Sequence, residues 1–195
     1  MSRPRLILAS ASPRRAELLR EYGYDFEIVP SPLPEPAEFS EGSSPVERAK
    51  ASGEFKARSV AAVVGEGWVL AADTIASLGG RIFGKPVDRD DARNILESLS
   101  GTTHQVITGV TLLDAASGIT LIRHDSTDVT MRRLAEREIE DYLDSGAWAG
   151  KAGAYGIQDK GDAFVERIDG SFTNVVGLPM ELVERMLDEF SPNAP

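Results

Sequence analysis

A short apolar run that meets a serine-proline-arginine cluster sets the first constraint on this chain. Leu6-Ile7-Leu8-Ala9 is followed at once by Ser10-Ala11-Ser12-Pro13-Arg14-Arg15. A continuous apolar run of that length reads as a buried strand. Ser12 before Pro13 reads as a helix start, with Ser12 at the N-cap and Pro13 at the first helical position, where its missing N–H costs nothing. A strand that feeds straight into a helix opens an α/β arrangement.

The remaining pattern fills in that arrangement. The first helix carries Ala16, Leu18 and Leu19 and stops near Gly23, and Tyr24 to Val29 is a second strand. Pro30 to Ser44, rich in Pro, Ser and Glu, reads as an exposed loop. A helix over Val46 to Val60 precedes a buried strand, Val69 to Ala72, that ends at Asp73. Ile82 to Pro86 is a strand edge running into a turn, and Asp88 to Leu99 is a helix with Ala92, Ile95, Leu96 and Leu99 on one face, terminated by Ser100-Gly101. Gln105 to Leu113 and Ile119 to Met131 form a long hairpin. Leu134 to Leu143 is a helix with Ala135, Ile139, Tyr142 and Leu143 on its inner face, and Ala163 to Ile168 is a further strand. Pro179 opens a last helix whose stripe of Leu182, Val183, Met186, Leu187 and Phe190 marks core packing. Early alternation plus a central hairpin predicts an α/β fold with a mixed sheet, not a doubly wound parallel one. A chain of 195 residues with 42% apolar content suits one domain over 1–195, with two lobes around a cleft as a variant.

Composition excludes several functions. Lys and Arg number 21 against 31 Asp and Glu, a net charge of −10. Non-specific nucleic-acid binding needs a basic face, and a membrane-surface helix needs a basic one too. An anionic ligand would need positive charge gathered at one site against that field. The chain has no cysteine, which removes disulfides, thiolate metal sites and thiol nucleophiles. No apolar stretch approaches the roughly 20 residues of a spanning helix, and the N-terminal run is too short for a signal peptide. A cytoplasmic protein is the expectation.

Four segments carry candidate chemistry. At Ser10 to Arg15 a helix N-terminus offers unpaired N–H groups and partial positive charge, and adding Ser10, Ser12, Arg14 and Arg15 makes a cradle suited to phosphate. A capped helix with two solvated arginines is the alternative. Asp73-Thr74, at the end of a buried strand, sits where open α/β sheets bind ligands, and Asp73 suits a divalent cation, a general base or a turn cap. Lys85, held between Gly84 and Pro86, is placed to neutralise a leaving phosphate, or belongs to a simple turn. Lys151-Ala-Gly-Ala-Tyr-Gly-Ile-Gln158 allows close backbone approach, and Gln158 presents a donor and an acceptor together. Neither a P-loop nor a Gly-x-Gly-x-x-Gly motif is present. His104 and His124 lack metal-ligand or triad spacing and read as structural.

Taken together, Ser10-Ala-Ser-Pro-Arg-Arg15, Ala72-Asp-Thr74, Gly84-Lys-Pro86, Leu99-Ser-Gly-Thr-Thr-His104, Thr108-Gly-Val110, Lys151 to Gln158 and Asn174-Val-Val-Gly-Leu-Pro179 resemble the Maf family of nucleotide pyrophosphatases, in order and spacing from about Leu6 to Leu187. The resemblance implies an α/β fold with a central cleft, like that of inosine-triphosphate pyrophosphatases. It implies hydrolysis of a nucleoside triphosphate to the monophosphate and pyrophosphate with a divalent cation, Mg or Mn. It implies Asp73 as proton acceptor, Ser12, Arg15, Lys56 and Lys85 as phosphate-handling groups, and Glu35 beside Asp73 as an acidic, metal-facing position. The family's usual Asp-Glu is Pro34-Glu35 here, with Glu38 close by. Its Glu-Pro before Lys-Ala-Gly is replaced by Gly146 to Gly150.

Three positions, Arg14, Thr74 and Gln158, resemble the family's dTTP/UTP type, whereas the 7-methyl-GTP type carries Trp, Gln and Glu there. A neutral amide matches the N3–H and O4 of uracil or thymine, and the Thr74 hydroxyl is expected to fix its orientation. The alternatives are 7-methyl-GTP hydrolysis and a non-catalytic nucleotide-binding regulator of cell division. The expected partner is the triphosphate, with no nucleic acid and no membrane; a homodimer is left open.

Overall fold

The computed structural model describes residues 5–34, 36, 43–158 and 163–190. In chain order these form β1 (Leu6–Leu8), α1 (Pro13–Glu21), β2 (Glu27–Ile28), α2 (Pro45–Val64), β3 (Trp68–Leu78), β4 (Arg81–Phe83), α3 (Arg89–Leu99), β5 (Thr103–Asp114), β6 (Thr120–Met131), α4 (Glu136–Asp144), β7 (Val165–Asp169), α5 (Phe172–Val176) and α6 (Met180–Phe190). Local chemistry fixes several of the helix ends. Ser44 and Glu47 close a capping box at the start of α2, and Gly65 ends that helix in the left-handed region at φ 72°. The Asp88 carboxylate accepts from the Asp91 N–H at the start of α3.

The strands form one mixed sheet, ordered β2-β1-β3-β5-β6-β7, with β4 also paired to β3. β1 runs parallel to β2 and β3, and the remaining pairings are antiparallel. The expectation of a mixed α/β sheet is met. β5 pairs with β3 from Trp68 to Ser77 along one edge. On the opposite edge β1 covers only Trp68 to Leu70, and β4 covers only Ala76 to Leu78. The edge from Ala71 to Ile75 is therefore left without a partner strand, and the sheet has a notch there.

Alternation along β3 sends neighbouring residues to opposite faces. Val69, Ala71 and Ile75 face α2, where they meet Ala49, Ala57 and Val60. Leu70, Ala72 and Ala76 face the larger core built with α1, α3, α4 and α6. Asp73 is on the α2 face by the same alternation and Thr74 on the other. The α2 face is packed closely at Gly109 of β5, which pairs with Asp73. A Cβ at Gly109 would overlap the Ala49 carbonyl and lie 2.5 Å from the Lys50 nitrogen. A Cβ at Gly53 would come within 3.2 Å of the Gly109 carbonyl oxygen. Helix and strand thus touch backbone to backbone.

Four sequence expectations need correction. The strand expected over Tyr24 to Val29 is only Glu27–Ile28, because the Tyr24 N–H bonds back to the Leu19 carbonyl and keeps that residue out of the ladder. The strand expected to end at Asp73 continues to Leu78, because β5 pairs with it throughout. The helix expected from Leu134 begins at Glu136. Ala135 is exposed at the N-cap, with extended ψ of 151°, and does not pack inward. The strand expected over Ala163 to Ile168 is Val165–Asp169, since Ala163 and Phe164 lie in a helical turn. Among the described residues no helix is long and apolar enough to cross a membrane.

The backbone contact makes a direct prediction. Gly109→Ala should destabilise the fold by about 3 kcal/mol, the upper part of the ordinary overpacking range. Gly84→Ala, where a Cβ meets nothing within 4 Å, should change stability by less than about 1 kcal/mol. Urea unfolding of both variants checks this, and similar midpoints would refute the close approach.

Candidate active site

The notch in the sheet opens into a cavity of about 600 Å³. Its wall combines charged and polar side chains, Ser10, Ser12, Arg14, Lys56, Asp73 and Lys85, with apolar ones, Ala76, Val106, Tyr155, Ile157, Val175 and Val176. Asp73 is the one carboxylate among the described lining residues, against Arg14, Arg15, Lys56 and Lys85. The positive charge that an anionic ligand requires is thus gathered here despite the net charge of −10.

Asp73 is paired with Lys56. The Lys56 Nζ donates to Asp73 Oδ1 at 2.6 Å, and the two side chains are 14% and 16% exposed. Lys56 comes from α2 one turn after Gly53, and Asp73 comes from β3 opposite Gly109. The glycine contact is therefore what brings the ammonium and the carboxylate together. In this partly dehydrated position the pair attracts more strongly than it would in bulk water.

Ser10, Ser12, Arg14 and Arg15 do all line the cavity, but their roles differ. The Ser12 side chain does not cap α1; instead the Ser12 N–H donates to Ser10 Oγ at 3.1 Å. The Arg15 guanidinium is directed at the protein. Its Nε donates to the Gly177 carbonyl at 2.8 Å, Nη1 donates to the Ala72 carbonyl at 2.8 Å and to Ser10 Oγ at 3.2 Å, and Nη2 donates to Thr74 Oγ1 at 3.1 Å. One of these bonds falls on the notch itself, on a β3 carbonyl that no strand partner takes. Arg15 is a strut that ties α1, β3 and the segment after α5 together.

Lys85 is exposed on the turn after β4 and reaches the cavity. That turn is held by the Gly153 N–H, which donates to the Gly84 carbonyl at 3.1 Å. Gly153 adopts φ 72° with Ala76 Cβ only 3.1 Å from where its own Cβ would be, so a glycine is required there. Gln158 is exposed at the cavity rim. Glu35 and Glu38 lie outside the described residues. Among the described residues no three His, Asp or Glu side chains come together as a metal site.

His104 is 1% exposed, and its Nε2 shares a 2.7 Å hydrogen bond with the Tyr155 hydroxyl. The rings meet edge to face at 5.5 Å and 89°. Burial holds the imidazole down at about 4, partly opposed by Asp128, and pushes the Tyr155 phenol up. The structural reading of His104 holds, and His124 is exposed on β6. Sequence reasoning did not single out Tyr155, Val106 or Gly177 as cavity residues. Tyr155 and Gly177 were inside quoted motifs, whereas Val106 carried no signal beyond strand periodicity.

A family model described as Maf-like protein matches residues 5–190. A dTTP/UTP pyrophosphatase of Pelotomaculum thermopropionicum is 40% identical, over 96% of this chain and 97% of its own length. Proteins of the same name from Deinococcus radiodurans and Geobacter sulfurreducens are 45% and 44% identical, over 94% of this chain in each case and 92% and 96% of their own lengths.

Two stability predictions follow from the buried contacts. Arg15→Ala should cost about 2 kcal/mol or more, because bonds from a charged donor to buried acceptors are lost; unchanged denaturant unfolding would remove the strut. The second concerns pH. His104 titrates near 6.5 when unfolded and near 4 when folded, so between those values the unfolded chain binds more protons. Stability should be constant above about pH 6.5 and fall as pH drops towards 4, by about 3 kcal/mol in all. His104→Gln should flatten that part of the pH–stability curve, and an unchanged slope would contradict the assignment.

Proposed function

The chain belongs to the Maf-like protein family, and on that premise we propose that it is a nucleoside triphosphate pyrophosphatase that cleaves dTTP and UTP to the monophosphate and pyrophosphate. The observation that carries the reading is the Asp73–Lys56 pair in a cavity whose wall combines cationic and apolar side chains. A nucleoside triphosphate combines a polyanion with a flat base in the same way. The names carried by the relatives support the same chemistry and the same pair of substrates.

The cavity lining supports these roles: Ser10, Ser12, Arg14 and Lys85 would contact the triphosphate, and Lys56, paired with Asp73, would meet its phosphates. Lys56 occupies Asp73 Oδ1, which leaves Oδ2 either to accept the proton of the attacking water or to hold the cation. As the water oxygen bonds to the α-phosphorus, the bond from that phosphorus to the bridging oxygen breaks. Pyrophosphate leaves with the electron pair, and its charge is met by Lys56 and Lys85. Mg²⁺ is ordinarily held by one or two carboxylates plus substrate phosphates. A cavity with one described carboxylate and room for a triphosphate fits that mode, with Asp73 as the protein ligand and Glu35 as the position the sequence adds. Such a cation would supply Lewis-acid stabilisation of phosphoryl charge.

For the base, Gln158 presents an amide that matches both N3–H and O4 of a pyrimidine. A carboxylate would suit the cationic base of 7-methyl-GTP better, so the amide favours dTTP and UTP over that reading. A cytoplasmic location, where nucleoside triphosphates are held, fits this reading.

Asp73→Asn should lower kcat by about 10²–10⁴-fold in protein that remains folded, and wild-type turnover would remove Asp73 from the mechanism. Gln158→Glu should depress dTTP and UTP relative to 7-methyl-GTP, because an ionised carboxylate cannot donate to O4. Pyrophosphate release, measured as kcat/KM over dTTP, UTP, CTP, GTP and 7-methyl-GTP, reads both. An unchanged ranking in Gln158→Glu means that the base is read elsewhere.

A further inference from the structure

The Thr74 hydroxyl lies in the cavity wall, yet its hydrogen-bonding capacity is already used. A hydroxyl has one proton and two acceptor positions. Thr74 Oγ1 receives Arg15 Nη2 at 3.1 Å, lies 2.9 Å from Thr108 Oγ1, and faces the Gly177 carbonyl at 3.3 Å. Thr74 accepts from Arg15, and its one proton goes either to Gly177, with Thr108 donating to Thr74, or to Thr108, which then donates to the Asn174 carbonyl. In both arrangements the Thr74 proton is committed, so Thr74 cannot donate to a nucleobase without breaking one of these contacts. Thr74 therefore acts on a ligand through what it holds, not by donating to it.

What it holds is part of the apolar wall. Val175 and Val176 line the cavity, and the segment carrying them is pinned at both ends. At Gly177 the carbonyl takes Arg15 Nε and Thr74. At Asn174, which is fully buried, Nδ2 donates to the Val106 carbonyl and to Thr127 Oγ1, both at 2.9 Å. Thr108 connects the two pins. It is fully buried on β5 directly opposite Thr74, and its hydroxyl also lies 3.4 Å from the Asn174 carbonyl. A hydroxyl buried this deeply is costly without partners, and a valine would fill the same space.

We propose that Thr108 is a positioning residue for base selection, acting through Thr74 and Gly177 to fix the Val175–Val176 wall; this rests on the nucleotide reading above. Arg15 keeps its bonds to Ala72, Ser10 and Gly177 without Thr108, so the phosphate contacts stay in place when Thr108 is changed. Loss of the Thr108 hydroxyl removes one of the three contacts of Thr74 Oγ1 and the reach to the Asn174 carbonyl, so the wall is held less firmly. The effect should fall on the base and spare the phosphates.

The test compares Thr108→Val, which keeps the shape and removes the hydroxyl, with Thr108→Ser, which keeps the hydroxyl. In Thr108→Val, kcat/KM for dTTP and UTP should fall about tenfold, close to the effect of one ordinary hydrogen bond. The fall should lie mainly in KM, and the preference over CTP should narrow. Thr108→Ser should stay within about twofold of wild type, and inhibition by inorganic tripolyphosphate, which has no base, should be unchanged in both. Wild-type kinetics in Thr108→Val, an equal loss on every nucleotide and on tripolyphosphate, or a serine variant as impaired as the valine would each overturn the proposal. Wild-type protein that cleaves neither dTTP nor UTP would sink the pyrophosphatase reading instead. The positioning role would then be read from calorimetric Kd values of dTMP and UMP against tripolyphosphate, with the same expected pattern.

Discussion

The backbone contact between α2 and Gly109 governs the position of everything that acts in the cavity. Gly109 lies opposite Asp73 in the sheet, and the absence of a Cβ there lets α2 rest on β5 with Gly53 against the Gly109 carbonyl. Lys56 follows Gly53 by one helical turn and meets Asp73 at 2.6 Å. An added methyl would push the helix outward, and the ion pair would part before the core lost much apolar contact. Reactive groups tolerate displacements of that size poorly. The pairing of ammonium and carboxylate is therefore a consequence of how a helix packs on a strand, set by two residues that carry no functional group.

The notch in β3 is the second constraint. β1 ends at Leu8 opposite Leu70 and β4 ends at Phe83 opposite Ala76, so the β3 edge between those two points faces the cavity. Arg15 covers the exposed Ala72 carbonyl and extends to Ser10, Thr74 and Gly177. One guanidinium thus ties three parts of the cavity wall together. Its planar fork of five donors suits such a junction better than a lysine would. The other cations that line the cavity, Arg14, Lys56 and Lys85, come from three separate parts of the chain, which concentrates positive charge in a chain that is acidic overall.

Much of this could be read in the sequence. Ser12-Pro13 marked the start of α1, the apolar spacing marked α3 and α6, and Asp114 to Gly118 marked the turn of the long hairpin. The mixed sheet followed from those elements, and Ser10, Ser12, Arg14, Arg15, Lys56, Asp73, Thr74, Lys85 and Gln158 all line one cavity, while Glu35 lies outside the described residues. The chemistry of individual side chains was less legible. The bonds of Arg15 could not be read, because its spacing from Ser12 says nothing about the Ala72 and Gly177 carbonyls that it reaches. Thr74 looked free to adapt to a base because strand pairing with Thr108 was not visible before register was known. Asp73 looked like a strand end because the partner that extends β3 comes some 30 residues later along the chain. In each case the missing information was long-range pairing, which residue spacing does not encode.

The central claim is that Asp73 and its cationic surroundings direct water to the α-phosphorus of a pyrimidine nucleoside triphosphate. Phosphorus NMR of dTTP incubated with the enzyme and a divalent cation tests it most directly, since each possible cleavage gives a different pair of products. The account predicts dTMP and pyrophosphate appearing together in equal amounts. Accumulation of dTDP with orthophosphate, or an intact dTTP spectrum from folded protein, would contradict it.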